Sequence, residues 1–206
     1  PSAALLAQQL AEVSNTVNGG TIPNPLTLFV DGRNKNLATT IAEGVDFQGN
    51  YRLSTETRGD FSLGVNGTYF TKYRTAITTS APVLNQLNTI FNPLRFKARA
   101  SAGWTGGPVQ LNAFVNYLNS YTNNLATPVQ KVDAYTSVDL RAAYRFGGEK
   151  GLVVAVDARN AFDEPPPFVN IAQSANGGGG FDPTLTNPVG RIIGIHERDE
   201  IVRVRE

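Results

Sequence analysis

The chain has 206 residues, room for one domain and little more, and 18 Lys and Arg against 17 Asp and Glu give a net charge of +1. That balance argues against a basic nucleic-acid-binding face, and the absence of cysteine excludes disulfide scaffolds, zinc ribbons and thiol nucleophiles. Charged residues make up only 17%, below the roughly 25% of an ordinary soluble domain.

Asn and Thr number 19 each and Gly 20, a composition that favours exposed β-structure over helices. Residues 1–36 read as a loop-rich lead-in with no basic-then-apolar signal peptide. The longest apolar runs are five residues, too short for a membrane-crossing helix. A short stretch at 27–30 is a candidate additional strand.

Side chains of a strand alternate between two faces, so an apolar parity set against a polar one marks a strand. Over 37–53, Leu37, Ile41, Val45, Phe47, Tyr51 and Leu53 oppose Asp46, Gln48, Asn50 and Arg52. Next, Phe61, Leu63, Val65, Tyr69 and Tyr73 oppose Asp60, Ser62, Asn66 and Lys72. In 94–104, Leu94, Phe96 and Trp104 share a parity with Ala98, Ala100 and Ala102, against Arg95, Lys97, Arg99 and Ser101. The pattern repeats over 109–121, 134–146 and 152–162, and a last strand covers 189 to about 197. Seven strands of roughly 9 to 18 residues far exceed the ~5–6 typical of globular sheets.

Long strands with one apolar and one polar face suit a transmembrane barrel with a wet lumen, or a soluble barrel or sandwich with an apolar interior. The connections separate the two. Segments 55–58, 105–108 and 147–150 are short turns, while 75–93, 122–133 and 163–188 are long loops, in strict alternation. A bilayer sorts short turns to one side and long loops to the other, and a soluble sandwich has no reason to do so. Tyr51, Trp104, Tyr144 and Phe146 fall near the short turns, and Tyr69, Tyr73, Tyr117, Tyr121 and Phe162 near the long loops. All nine sit on the apolar parity, as two aromatic belts around an aliphatic band would.

The segment from Ala158 reads Ala-Arg-Asn-Ala-Phe-Asp-Glu-Pro-Pro-Pro-Phe-Val-Asn, and later come Gly180-Phe181-Asp182-Pro183 and Asn187-Pro188-Val189-Gly190-Arg191. This resembles the C-terminal end of the barrel of TonB-dependent outer-membrane receptors. There an Asn-Leu-Phe-Asp signature closes the penultimate strand and a Gly-Arg pair opens the last. Asn160, Phe162 and Asp163 match the first, with Ala161 for the usual Leu, and Gly190 and Arg191 match the second. Asn36-Leu37 followed by Glu43-Gly44-Val45-Asp46, and Tyr135 to Leu140, are similar to further strands of the family. On the residues alone, Asn160 and Asp163 satisfy backbone groups that leave the ladder, and Gly190 permits a sharp turn.

The resemblance implies an all-β fold: an antiparallel up-and-down transmembrane β-barrel, here an open C-terminal portion of about seven strands. Residues 37–197 are then barrel strands and 198–206 an atypical charged tail, where the family's usual terminal aromatic residue is missing. A full barrel of about 22 strands with a plug exceeds this length, so the plug is expected to be absent from the segment. The implied function is active nutrient uptake (ferric siderophore, cobalamin or carbohydrate class) in the outer membrane. Its implied partners are lipid, the inner-membrane TonB complex acting through the plug, and an extracellular ligand.

Enzymatic chemistry finds little support. No Gly-x-Ser-x-Gly elbow occurs, His196 is the sole histidine, and 177–180 lacks a following Gly-Lys-Ser/Thr. Glu197, Asp199 and Glu200 sit in a mixed charge cluster with Arg198, and the Asn66-Gly67-Thr68 sequon falls mid-strand. No catalytic, cofactor-binding or metal-ligating residue is assigned, and the ligand-binding residues are unknown. A passive porin-like barrel and a soluble β-rich binding domain are the alternatives. In the barrel reading, the polar parity, including Arg99, Asn116, Arg141 and Asp157, faces the lumen. The long loops are expected to lie outside, to pair with nothing and to tolerate replacement without harm to assembly.

Overall fold

The computed structural model describes residue 4 and residues 39–78, 81–148, 151–171 and 179–198. The chain divides into two units, residues 1–37 and 38–206, and every strand described belongs to the second. Apart from Ala4, the lead-in with its candidate strand at 27–30 lies outside the described residues, as do Leu37 and the tail from 199.

In chain order the strands are β1 (Thr39–Thr55), β2 (Gly59–Ala76), β3 (Leu84–Asn85), β4 (Phe96–Gly106) and β5 (Val109–Leu118). They continue as β6 (Tyr121–Asn123), β7 (Gln130–Val132), β8 (Tyr135–Arg145), β9 (Val153–Arg159) and β10 (Ile192–Arg198). Seven long strands form one antiparallel sheet in the order β1-β2-β4-β5-β8-β9-β10, with β3 added beside β2. Each long strand pairs with the next in the chain, the up-and-down pattern expected of a barrel wall. β1 and β10 lie at opposite edges and do not pair, so the wall is open. Among the described residues no helix is long and apolar enough to cross a membrane.

The register assembles the alternating side chains into rows. One apolar row runs Tyr51, Leu63, Ala102, Ala113, Leu140, Ala158 and Ile193, and the next runs Leu53, Phe61, Trp104, Leu111, Ala142, Val156 and Ile195. On the other face, Gln48, Asn66, Arg99, Asn116 and Ser137 form one row, while Arg52, Ser62, Gly103, Asn112, Arg141 and Asp157 form another. Directly opposed side chains share a face, so each row is a band of cross-strand contacts worth roughly 0.2–1 kcal/mol per pair. The aliphatic band has no second layer over it: Leu63 is 56% exposed, Val115 41% and Leu140 40%. A two-layer core, which the soluble binding-domain alternative requires, is not what the described residues form. Small alanines at the centre of this face leave a groove of about 640 Å³ between walls that include Tyr51, Leu63, Trp104 and Leu140.

Three details depart from the alternation. Glu43 pairs with Lys72 but Gly44 with Phe70, so Thr71 is an extra residue, a bulge, and its hydroxyl donates to the Glu43 carbonyl at 3.2 Å. A bulge exchanges the faces beyond it. Lys72 therefore joins the face of Val45 and pairs with Glu43 at 2.6 Å, and Tyr73, opposite Ala42, turns to the polar face. The strand expected over 109–121 ends at Leu118; Tyr121 begins the separate hairpin of β6 and β7 and is buried, not part of a belt. The aromatic cluster at the long-loop end is instead Phe47, Tyr69, Phe96 and Tyr117, with Phe47 stacked on Phe96 at 6.2 Å and 10°. At the short-turn end the Trp104 indole N–H donates to the Arg58 carbonyl at 2.8 Å, and Tyr144 meets Phe146 at 4.6 Å.

The bulge explains the glycine beside it. A Cβ on Gly44 would lie 2.8 Å from the Tyr69 carbonyl oxygen, a backbone atom that cannot swing aside, whereas one on Gly49 would meet Val65 at an ordinary 3.5 Å. Gly44→Ala should lower stability by about 1–3 kcal/mol and Gly49→Ala should change it by less than about 0.5 kcal/mol. Equilibrium urea unfolding of the intact protein compares the two. Equal effects would contradict the bulge register.

Candidate functional site

Among the described residues, the largest fully buried side chains, Val132, Val169, Asn123 and Asp182, are not in the long strands. Ile90, Leu94, Tyr121, Val132 and Val169 form one core, with Phe91, Leu118, Ile171 and Leu185 packed around it. They come from all three long connections, residues 77–95, 119–134 and 160–191. The loops are tied by their backbones. The Ile90 N–H donates to the Thr122 carbonyl at 2.9 Å, and the Thr122 N–H to the Asn88 carbonyl at 3.0 Å. The Asn170 N–H donates to the Gln130 side-chain oxygen at 2.8 Å, and the Gln130 amide returns a bond to the Phe168 carbonyl at 3.0 Å. Asn123, 0% exposed, donates to the Asn170 carbonyl at 2.9 Å and accepts from the Leu125 N–H at 3.1 Å. A buried polar group so satisfied costs little and fixes which loop meets which.

This corrects the expectation that the long loops pair with nothing. Five apolar side chains spread over three loops can leave water only by meeting one another, so the loops fold as one cap. Asp182 lies within the same cap, 1% exposed, its Oδ1 accepting from the Thr184 N–H at 2.9 Å and the Thr184 hydroxyl at 2.6 Å. Its Oδ2 is buried without a hydrogen bond. Burial, and then the Asp182 carboxylate beside it, push the Tyr121 phenol well above its usual range, so Tyr121 stays a neutral core residue.

The polar face carries charge in pairs. Arg141 binds Asp157 through both carboxylate oxygens at 2.8 and 3.0 Å, with His196 Nε2 at 3.2 Å from the same carboxylate. Asp139 has Arg99 at 3.8 Å, accepts from the Asn116 amide at 3.0 Å and from the Asn160 N–H at 3.0 Å. Arg99 also lies 4.4 Å above the Phe114 ring. Toward the loops, Asp46 accepts from the Thr68 hydroxyl at 2.6 Å. Among the described residues no group of three or more His, Asp or Glu is placed to hold a metal ion. Of the carboxylates Glu197, Asp199 and Glu200, the last two lie outside the described residues.

The residues singled out at the strand ends form a clasp. Asn160 adopts φ 47° and Asp163 φ 61°, left-handed conformations that Asn and Asp tolerate better than most residues. The Asn160 side chain both donates to the Glu164 carbonyl at 2.9 Å and accepts from the Glu164 N–H at 3.0 Å. Asp163 Oδ1 accepts from the Arg191 N–H at 2.7 Å, and Gly190 at φ 73° leaves no room for a Cβ, which would stand 2.6 Å from that oxygen. The clasp thus joins the end of β9 to the approach of β10 across the third loop.

A family model for the TonB dependent receptor-like β-barrel matches residues 8–161. The chain belongs to that family. No curated protein and no solved structure matches it. Members of the TonB-dependent receptor family are outer-membrane receptors and transporters, not enzymes, and the single-layer wall with one apolar and one polar face is the corresponding architecture. The family-like residues of this receptor barrel are structural: Gly44 serves the bulge, Asp46 holds Thr68, and Asn160, Asp163, Gly190 and Arg191 make the clasp. The loop core of Ile90, Leu94, Val132 and Val169 was missed from sequence. Its signal was the apolar residues within long loops of otherwise polar composition.

Replacing Asn160 by Ala removes both side-chain bonds to Glu164 and disfavours the left-handed backbone, and should lower stability by about 1–3 kcal/mol. Asn160→Gly keeps the backbone freedom and should recover part of that loss. Heat-induced unfolding of the receptor followed by gel mobility distinguishes them; an Ala variant as stable as the parent would show the clasp to be idle.

Proposed function

We propose that this chain forms the C-terminal part of the barrel of an outer-membrane receptor for active uptake of a nutrient of the ferric siderophore, cobalamin or carbohydrate class. Energy comes from the inner-membrane TonB complex acting through a plug within the barrel. The long strands between Thr39 and Arg198 span the bilayer, the apolar rows face lipid, and the polar rows line the lumen. The long loops lie outside the cell and meet the ligand first.

The observation that carries this reading is the sorting of the two ends of a family-matched wall. At one end the strands are joined by short turns; at the other, three long loops fold into a cap with its own core. An active receptor uses such a cap to capture ligand before transport. Since the loops share a core, the cap acts as one body and not as three independent fingers.

Asn124 in the second loop is exposed and makes no side-chain bond among the described residues, so Asn124→Cys is a silent reporter in a chain without cysteine. It should react with a membrane-impermeant maleimide on intact cells, while Glu56→Cys in a short turn should react only after permeabilisation. The opposite pattern would overturn the orientation. Exchanging 122–133 for a Gly-Ser linker removes Asn123 and Val132 from the core. It should therefore weaken ligand capture and also expose 77–95 to protease, whereas a cap of independent loops would leave 77–95 resistant.

A further inference from the structure

The apolar face is not evenly filled. In the row of Tyr51, Leu63 and Leu140 stand on either side of two small residues, Ala102 and Ala113. The next row toward the short turns carries Phe61, Trp104 and Leu111. The two alanines form the floor of the groove of about 640 Å³, and the larger residues form its walls. Ser62, Gly103, Asn112 and Arg141 also border it, but strand alternation assigns side chains at those positions to the polar face. Ala102 lies four residues before the end of β4, and Ala113 four residues after the start of β5. At barrel tilt this sets the floor roughly 10 Å inside the short-turn end, the depth of acyl chains in one leaflet.

At the turn end of the groove the side chains are fixed in place. The Trp104 indole N–H donates to the Arg58 carbonyl at 2.8 Å, which holds the ring against the β1–β2 turn. A Cβ on Gly106 would collide with the same ring, so this glycine gives the indole room at the strand end and leaves the alanine floor uncovered. The Arg58 backbone is held too, its N–H donating to the Thr55 hydroxyl at 3.0 Å. The Arg58 guanidinium has no ion pair or hydrogen bond among the described residues, and the Glu56 carboxylate of the same turn does not engage it. The neighbouring turn, 105–108, carries no charge, and Asp60, opposite Thr105, lies on the polar face. The Tyr51 phenol, at the side of the groove, makes no hydrogen bond among the described residues.

We propose that the groove holds one anionic phospholipid as a fixed component of the wall, an acyl chain over Ala102 and Ala113 and its phosphate at Arg58. The proposal rests on the reading that the apolar face meets lipid, and it assigns that face a chemically specific site. An acyl chain in the groove gains dispersion contacts from its floor and both walls, whereas over a filled row it gains them from one side. The guanidinium fork matches phosphate oxygens. An exposed cation at headgroup depth favours the lipid whose phosphate charge is not offset by a choline. Tyr51 and Trp104 combine an apolar ring with a polar tip, which suits the boundary between chain and headgroup, and the free Tyr51 hydroxyl is a donor for a glycerol ester carbonyl.

The test uses the full-length receptor in vesicles of mixed phosphatidylcholine and phosphatidylglycerol, one of the two lipids carrying bromine on its acyl chains. Bromine quenches tryptophan fluorescence on contact, and the difference between the receptor and its Trp104→Phe variant isolates Trp104. At equal mole fraction, brominated phosphatidylglycerol should quench Trp104 as though enriched there about threefold or more over brominated phosphatidylcholine. Arg58→Gln, in an exposed turn, should bring that enrichment back to about one. Filling the floor with Ala102→Leu and Ala113→Leu should do the same with the turn unchanged. Equal quenching by the two lipids, or an enrichment that survives either change, would overturn the site and leave the barrel reading standing. No quenching by either lipid would mean that protein, such as a second copy of the chain, covers the groove, and would overturn the site together with the lipid-facing reading of this face.

Discussion

A sheet without a second layer satisfies its backbone only sideways, through the ladder to the strands on either side, and the rest of this molecule depends on that constraint. The ladder is longest between β1 and β2, which run 17 and 18 residues, and shortens to seven residues in β9 and β10. With nothing stacked against it, each face must suit whatever medium it meets. The alternation of Leu, Val and Ala with Arg, Asn and Asp is then a demand of the two media on either side, not a by-product of packing. Among the described residues the outer edges of β1 and β10 have no ladder partner, so their backbone groups are the ones the wall leaves unsatisfied.

The same constraint explains where the core is. The wall has no second layer, so the described cluster of large buried apolar side chains lies among the long loops. Ile90, Leu94, Tyr121, Val132 and Val169 form it, and the buried amide of Asn123 and the amide of Gln130 choose the partners. The cap is thereby attached to the wall through Leu118 and through Asn160, whose N–H is received by Asp139 of the polar face. The cap and the charge pattern of the polar face are mechanically connected through these few residues.

The wall was legible in the sequence because a period of two is a local signal that survives without tertiary information. Strand order, the open edges and the facing of Arg99, Arg141 and Asp157 follow from it. The clasp was legible too, since Asn160, Asp163 and Gly190 are residue types whose chemistry suits a chain leaving a ladder. The bulge was not legible. Thr71 is one inserted residue in a run where Tyr73 continues the apolar parity of the sequence, and only the partner strand reveals the exchange of faces. The cap escaped for a different reason. Its apolar residues are separated by tens of positions and share no period, so their meeting is a property of the assembled wall that brings three loop roots together.

The central claim is that a single layer separates lipid from water along each strand. Nitroxide scanning of β4 from Phe96 to Gly106 in the membrane-embedded receptor, with oxygen and a water-soluble nickel chelate as relaxing agents, reads that claim residue by residue. The account predicts a period of two. Positions 98, 100, 102 and 104 should be relaxed mainly by oxygen, which partitions into lipid, and 97, 99, 101 and 103 by the nickel chelate. A flat profile, or the two agents exchanged between the parities, would contradict it.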